Sequence, residues 1–254
     1  ADGLAAGKGV IVAMTLDEAH TAIDDMLLGN KMGNAGSRVV IEDYLLGEEA
    51  SFIVMVDGDN VLPMATSQDH KRLLNNDMGK NTGGMGAYSP APVVTPAVHE
   101  RVMNEIILPT VRGMKADGNE FTGFLYAGLM IDETGSPRTI EFNCRFGDPE
   151  TQPIMSRLDS DLVDLIQAAL DKKLNQITVK WKNDVAVGVV LAAQNYPDTP
   201  RKGDLISGIG AANQIGKVFH AGTIINKNDE LVTNGGRVLC VVGLGEDVAK
   251  AKAK

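Results

Sequence analysis

Cysteine is scarce in this 254-residue sequence, which has only Cys144 and Cys240. Two thiols so far apart make neither a zinc-ligand spacing nor a disulfide framework, and they point to a reducing, cytoplasmic setting. Aromatic residues are few as well: one Trp, four Tyr and six Phe. Positive charge is in deficit, with 24 Lys and Arg against 33 Asp and Glu and a net charge of −9. That balance argues against a nucleic-acid partner, whose phosphates call for a basic stripe. No apolar run reaches the roughly 18 residues of a spanning helix, so no membrane partner is expected. No basic segment with an apolar one behind it opens the sequence, so no leader is expected either. Glycine, by contrast, is abundant at 28 residues, and hydrophobic residues make up 44%. The sequence reads as one large or two modest globular domains with many tight turns and close backbone approaches.

The stretch richest in chemistry is Thr139-Ile140-Glu141-Phe142-Asn143-Cys144-Arg145-Phe146-Gly147-Asp148-Pro149-Glu150-Thr151. Read as a strand that ends in a turn, it puts Glu141, Asn143 and Arg145 on one face. Ile140, Phe142 and Cys144 take the other face, toward a core. A carboxylate, an amide oxygen and a guanidinium in one row suit Mg²⁺ with phosphate: hard cations take oxygen ligands, and Arg offers anions a planar fork. The same alternation suits an amphipathic edge strand with a solvated polar face. The apolar run from Phe124 to Ile131, turned back by residues 132–137, is expected to pair with this strand and make it central and covered.

The rest is read in chain order. The sequence opens on a glycine-rich loop, Gly3-Leu4-Ala5-Ala6-Gly7-Lys8-Gly9. Its backbone N–H groups could cradle an anion, or it is a surface turn. With no strand before this loop, and a helix barely begun at residue 254, the sequence reads as part of a longer chain. Residues 10–14 read as a strand, and Thr15 with Glu18 as the capping box of a helix closed by Gly29-Asn30. A strand at 38–41 runs through an acidic break into antiparallel strands at 51–56 and 61–65. The break is a loop, or a hinge whose backbone meets a purine edge while Glu49 takes ribose hydroxyls.

Residues 66–92 lack periodicity and read as a long loop. They contain Asp69-His70-Lys71-Arg72, which fits anion binding or a solvated charge run, and Asn81-Thr82-Gly83-Gly84-Met85-Gly86. Thr95-Pro96 opens a helix to about Lys115, which Pro109 should kink or split. Ser160-Asp161 caps another helix, reaching Leu174. From Lys182 the texture changes to short strands at 185–193, 217–223 and 238–242.

Together the glycine loop, the acidic hinge, the second glycine segment and the Glu-x-Asn strand resemble the ATP-grasp superfamily. More narrowly, residues 1–10, 81–92, 140–152 and 232–242 resemble the phosphoribosylamine–glycine ligase family, the glycinamide ribonucleotide synthetases. The resemblance implies an α+β chain. An ATP-grasp fold of antiparallel sheets with helices and a partial lid subdomain would be followed by a small strand-rich C-terminal domain. The implied divisions are a lid remainder at 1–47, a core carrying the site at 48–181, and the C-terminal domain at 182–254. An N-terminal portion of the same enzyme, with a nucleotide-binding lysine, would lie upstream and be needed for activity. Leu129 would stand where the superfamily often places a further metal ligand.

The implied activity is ligation of glycine to 5-phosphoribosylamine through glycyl phosphate, in purine biosynthesis, with ATP and Mg²⁺ or Mn²⁺. Carried over residue by residue, Glu141 and Asn143 would bind the metal. Gly3, Gly7, Lys8 and Gly9 would close over the ATP phosphates, Glu42 and Leu45 would present backbone to adenine, and Glu49 would hold the ribose. Arg145 and Asp148 take the catalytic places. Lys71, Arg72, Asn81, Gly83, Gly84 and Gly86 would form the seat of glycine and phosphoribosylamine. Another ATP-grasp carboxylate–amine ligase, or an inactive nucleotide-binding fragment of one, fits the same residues.

Overall fold

The computed structural model describes residues 9–29 and 33–254 and divides the chain into two compact units, Ala1–Leu46 and Gly47–Lys254. In the first unit α1 (Leu16–Leu27) starts where its capping signal predicts. Thr15 Oγ1 accepts from the Glu18 N–H at 3.2 Å, and Glu18 Oε2 accepts from the Met14 N–H at 2.7 Å. Each contact satisfies a backbone donor at the helix start. Gly29 follows the helix, while Asn30 lies outside the described residues. The strands expected at 10–14 and 38–41 are not found. Both segments lack regular structure and have no partner ladder among the described residues.

In the second unit β1 (Glu48–Asp57) and β2 (Val61–Pro63) form the expected hairpin. Residues 66–92 correct the expectation of a loop, since they contain a second hairpin, β3 (Gln68–Leu74) and β4 (Met78–Ser89). Register shifts on either side of Arg72 interrupt its pairing, and glycines stand where strands usually carry side chains, so the alternation is masked. Asn76 and Asp77 make the turn at φ 59° and 53°, a left-handed region these residues tolerate.

Residues 96–116 are helical in three pieces: α2 (Pro96–Arg101), a π-helical stretch (Val102–Ile107) and α3 (Leu108–Ala116). Pro109 does split the helix, because its ring crowds the preceding turn and it has no N–H to donate. The wider π turn accommodates both defects. Next come β5 (Thr122–Ile131), β6 (Pro137–Asn143), α4 (Thr151–Arg157) and α5 (Leu162–Leu170). Asp161 caps α5 by accepting from the Val163 N–H at 2.7 Å. The helix stops short of Leu174 because Lys172 turns left-handed at φ 56°. Besides short 3-10 turns at Gly33–Gly36 and Leu174–Gln176, the remaining elements are β7 (Val185–Ala192), α6 (Ile209–Ala212), β8 (Lys217–His220), β9 (Thr223–Ile225), β10 (Leu231–Thr233), β11 (Arg237–Gly245) and α7 (Val248–Lys252).

One sheet runs β2-β1-β5-β6 and the other β3-β4-β7-β11-β8, while β9 and β10 pair alone. The larger sheet crosses the division expected after 181, since β4 pairs with β7. In the smaller sheet β1 is buried on both faces. Ala50, Phe52, Val54 and Val56 pack with Val98, Val102, Ile107 and Val111 of the helix at 96–116. Ile53 and Met55 point the other way, to Ile154 of α4 and Leu165 and Ala169 of α5. This period-two division follows from the pleat. Leu129 belongs to the first cluster and is fully buried.

The expectation of a central, covered Glu141 is corrected here. β6 does pair with β5, but it forms the sheet edge, and Ile140 and Phe142, read as core, are 41% and 42% exposed. A bulge contributes: Gly128 opposes Glu141 while Leu129 opposes Thr139, so Ile140 is the extra residue on its strand.

α4 joins the two sheets. Its Arg157 is 8% exposed and has no carboxylate partner among its hydrogen bonds. Instead it donates to the Asp184 carbonyl (2.7 Å), Ser89 Oγ (2.9 Å) and the Lys182 carbonyl (3.3 Å). Among the described residues no helix is long and apolar enough to cross a membrane. Ile154→Ala should lower unfolding stability by about 2–5 kcal/mol, because the site is enclosed and leaves a cavity. Val163→Ala, at a position 70% exposed, should change it by less than about 0.5 kcal/mol. Urea titration of both variants checks the pair.

Candidate functional site

Four strands of the second unit converge on a small cleft. β1 contributes Glu49 and Ser51, β3 contributes Asp69 and Lys71, β5 contributes Tyr126 and Gly128, and β6 contributes Ile140 and Glu141. Residues 49 and 51 share a face of β1, and residues 69 and 71 a face of β3, because side chains alternate along a strand. Glycine at 128 leaves room for Glu141, whose Cγ would lie 3.2 Å from a Cβ there.

The row on β6 continues past the strand end. Asn143 Nδ2 donates to Glu141 Oε1 at 3.1 Å, and Arg145 Nη2 donates to Asn143 Oδ1 at 3.4 Å. Arg145 also donates to the Phe146 carbonyl at 2.7 Å. The shared face expected for these three residues is therefore present. Among the described residues no three or more His, Cys, Asp or Glu side chains group to hold a metal. A carboxylate and an amide oxygen suit a hard cation that completes its shell with water and phosphate oxygens. That donor set fits Mg²⁺ or Mn²⁺ and leaves the ion dependent on a bound polyanion.

Lys71 Nζ lies 2.7 Å from Glu49 Oε2. Burial works against the ammonium, but Glu49, Asp69 and Glu141 outweigh it and hold Lys71 above the usual lysine range. Asp69 behaves oppositely. Burial, then the Glu150 carboxylate, push it up to about 7 against the pull of Lys71. Its Oδ1 is buried without a hydrogen-bond partner. Beneath the cleft, Ser51 Oγ donates to Glu150 Oε1 at 2.8 Å. Ser51 has one hydroxyl proton, so the Tyr126 hydroxyl, 3.0 Å away, is the donor to Ser51. Burial, then Glu150, raise the Tyr126 hydroxyl. Glu150 is held close by Gly147, where any Cβ would fall 2.3 Å from its carboxyl carbon.

The other expected residues divide into those near this cleft and those away from it. Arg72 is exposed and caps the hairpin end through the Gly79 carbonyl (2.8 Å), away from Lys71. Asn81 stands opposite it and is also exposed. Gly84 packs beside Asp69 and Pro149: a Cβ there would lie 2.7 Å from Asp69 Oδ1 and 2.4 Å from Pro149 Cδ. Gly86 allows close approach to β7, since a Cβ would lie 2.8 Å from the Gly188 carbonyl oxygen. Gly83 and Asp148 meet through Arg237, which donates to the Gly83 carbonyl (2.7 Å) and the Asp148 carbonyl (2.6 Å). Glu42 and Leu45 lie in the first unit, exposed and half-buried respectively. Gly9 is buried in that unit. Gly3, Gly7 and Lys8 lie outside the described residues.

Asp69, Glu150, Ser51, Tyr126 and Arg237 were not among the site residues expected from sequence. The clustering of Asp69 with Lys71 was the one available signal, and it required reading residues 68–74 as a strand. Arg237 had no local signal, because its partners are remote in sequence.

The ATP-grasp (A) domain of phosphoribosylglycinamide synthetase matches residues 1–151, and the C domain of the same synthetase matches residues 186–254. Phosphoribosylamine–glycine ligase of Neisseria meningitidis serogroup A is 80% identical over 254 residues, all of this chain and 60% of that protein. The Vibrio vulnificus ligase is 68% identical over 255 residues, 100% of this chain and 59% of the relative. The chain thus spans about 60% of the length of the curated relatives it matches. The crystal structure of phosphoribosylamine–glycine ligase from Thermotoga maritima superposes with a TM-score of 0.88 at 36% identity, covering 100% of this chain and 62% of that one. An L-amino acid ligase from Bacillus licheniformis shares the fold alone, with a TM-score of 0.54 at 14% identity over 83% of this chain and 52% of that one. With well over half of its residues matched by these domains, the chain belongs to the phosphoribosylglycinamide synthetase family.

Proposed function

We propose that this chain carries the phosphoryl-transfer site of an ATP-dependent carbon–nitrogen ligase that joins glycine to 5-phosphoribosylamine. The products would be glycinamide ribonucleotide, ADP and phosphate. The observation that carries this reading is the Glu141–Asn143–Arg145 row, whose first member, Glu141, lines one cleft with the Lys71–Glu49 pair. The names of the close relatives support the choice of substrates.

In the first step a glycine carboxylate oxygen would attack the γ-phosphorus of ATP, and the bond to the β-bridging oxygen would break to release ADP. In the second, the phosphoribosylamine nitrogen would attack the acyl carbon, lose a proton and expel phosphate. Little covalent chemistry falls to the protein in such transfers; positioning and charge stabilisation do most of the work. Arg145 would face the transferring phosphoryl group, since its planar fork matches phosphate oxygens. Glu141 and Asn143 would hold Mg²⁺ or Mn²⁺, which when bound neutralises phosphate charge. Glu49 would take the ribose hydroxyls, with Lys71 fixing its carboxylate. Asp148 and the Gly83–Gly84 segment would seat the two smaller substrates. Glu42 and Leu45 would meet adenine and Gly3, Gly7, Lys8 and Gly9 the phosphates, and the remaining length found in relatives would be needed to complete the enzyme.

In a protein extended to the full length of its relatives, Glu141→Gln should lower Mg²⁺-dependent ADP formation at least about 100-fold, the scale of several kcal/mol of charge stabilisation. A coupled ADP assay with glycine and phosphoribosylamine reads the loss, and undiminished turnover would remove the metal assignment. Omitting either substrate from the unsubstituted protein tests the substrate pair.

The charge state of the cleft is part of this reading. With Asp69 at about 7, against an ordinary 3.8, many molecules near neutrality carry it uncharged, which lessens repulsion of an incoming polyphosphate. The folded form holds that proton where the unfolded chain has lost it. Asp69 therefore costs nothing at low pH and weakens the fold as pH rises from about 4 to about 7. Asp69→Asn should then show a larger melting-temperature advantage over the parent at pH 8 than at pH 5 in differential scanning calorimetry. An offset that is the same at both pH values would refute this.

A further inference from the structure

The C-terminal part of the chain, from Tyr196 in the turn after β7 to Arg237 on β11, reaches back to the glycine segment of β4 in a way the site chemistry above does not use. Gly83 spends both backbone groups on these two residues: its N–H donates to Tyr196 Oη at 2.9 Å, and its carbonyl accepts from Arg237 Nη1 at 2.7 Å. The same Nη1 donates to the Asp148 carbonyl at 2.6 Å, and Nη2 lies 3.3 Å from Asp148 Oδ2. One guanidinium thus ties two segments that are some 65 residues apart in sequence to a third on β11. Arg237 is aimed there by a bulge: it opposes Ala192 while Leu239 opposes Leu191, leaving Val238 as the extra residue, and such bulges re-aim neighbouring side chains.

The tie continues by contact. With Asp148 fixed, Pro149 presses on Gly84, and Gly84 abuts Asp69, as the 2.4 Å and 2.7 Å approaches of a Cβ at Gly84 show. Glycine is required there on a second count, since Gly84 has φ 112°. The Asp69 Oδ1 at the end of this relay is buried without a hydrogen-bond partner.

We propose that Arg237 is a positioning residue that locks the Gly83–Gly84 segment to the Asp148–Pro149 turn and thereby sets the seat of the two non-nucleotide substrates. This rests on the ligase reading above. Glu49 and Glu141, which carry the nucleotide side, are not members of the relay, and it meets their cleft only at its far end, Asp69, so the effect should fall first on the substrate seat. A planar fork can serve two carbonyls and a carboxylate at once, whereas an ammonium is a point donor and a thioether donates nothing.

The test is steady-state kinetics of Arg237→Met and Arg237→Lys in a protein extended to the full length of its relatives. Arg237→Met should raise KM for glycine and phosphoribosylamine at least about tenfold while KM for ATP stays within about twofold, since misplacing a substrate seat costs this much or more. Arg237→Lys should recover part of the loss. Unchanged KM values in both variants, or a rise for ATP equal to the others, would overturn the proposal. Hydrogen exchange of amides at 82–86 and 146–150 reads the lock apart from turnover. Arg237→Met should speed exchange in both segments, and unchanged exchange in either would overturn the proposal even if the unsubstituted protein proved inactive with these substrates. Inactivity of the unsubstituted protein would count against the ligase reading alone.

Discussion

The ladder between β1 and β5 is the constraint on which the second unit depends. Its ten paired positions, from Glu48 opposite Ile131 to Asp57 opposite Thr122, leave no freedom of register, because a slip by one residue would send Phe52, Val54 and Val56 away from the helix at 96–116. The same pleat fixes the polar groups. Ser51 and Tyr126 face α4 together with Ile53 and Met55, and so meet Glu150 at the start of that helix. β6 inherits its register from β5, and the bulge at Ile140 decides how the edge presents Glu141. The site is thus a by-product of core packing up to Glu141. Beyond it, local hydrogen bonds to Asn143 and Arg145 take over.

Much of this was legible before any coordinates. The Thr15–Glu18 cap, the β1–β2 hairpin, the apolar β5 and the helix interrupted at Pro109 each rest on short-range chemistry that a sequence states directly. The polar row at Glu141, Asn143 and Arg145 was legible for the same reason, since alternation is local. What failed was non-local. Nothing in residues 137–143 says whether a fifth strand lies beyond them or a layer covers them, and the reading of this strand as central and covered assumed both. The β3–β4 hairpin escaped because its glycines serve close approaches to Asp69, Pro149 and Gly188, so its side-chain pattern is subordinate to its neighbours. Arg237 was hidden most completely: its meaning lies in two carbonyls and a carboxylate from other parts of the chain.

The buried polar groups differ in how they are satisfied. Arg157 is enclosed and fully engaged by two carbonyls and a hydroxyl, the arrangement expected of a structural cation, since an unpaired charge at such depth would cost several kcal/mol. Glu150 is likewise engaged through Ser51. Asp69 is not: one oxygen is buried without a partner. A fold that engages these enclosed charges and leaves the Asp69 carboxylate unmatched has placed that mismatch at the cleft wall, where a ligand can meet it.

Charge then explains why such a site would depend on metal. A triphosphate is an improbable guest for a chain of net charge −9, and the cleft is no exception to the average. Glu49, Asp69 and Glu141 line it, Glu150 lies just beneath, and the lysine that lines it, Lys71, is engaged with Glu49. Arg145 is spread between Asn143 and a carbonyl. A polyanion brought into this field alone would be repelled. Were a divalent cation seated on Glu141 and Asn143, as proposed, the polyanion would meet the largest local charge in the site, with the sign reversed. On the proposed reading the acidic walls would then become an asset, because they would raise affinity for the cation. On this argument the same carboxylates that bar free nucleotide would favour the metal-bound form, and selectivity between the two would come from charge count before any shape is read.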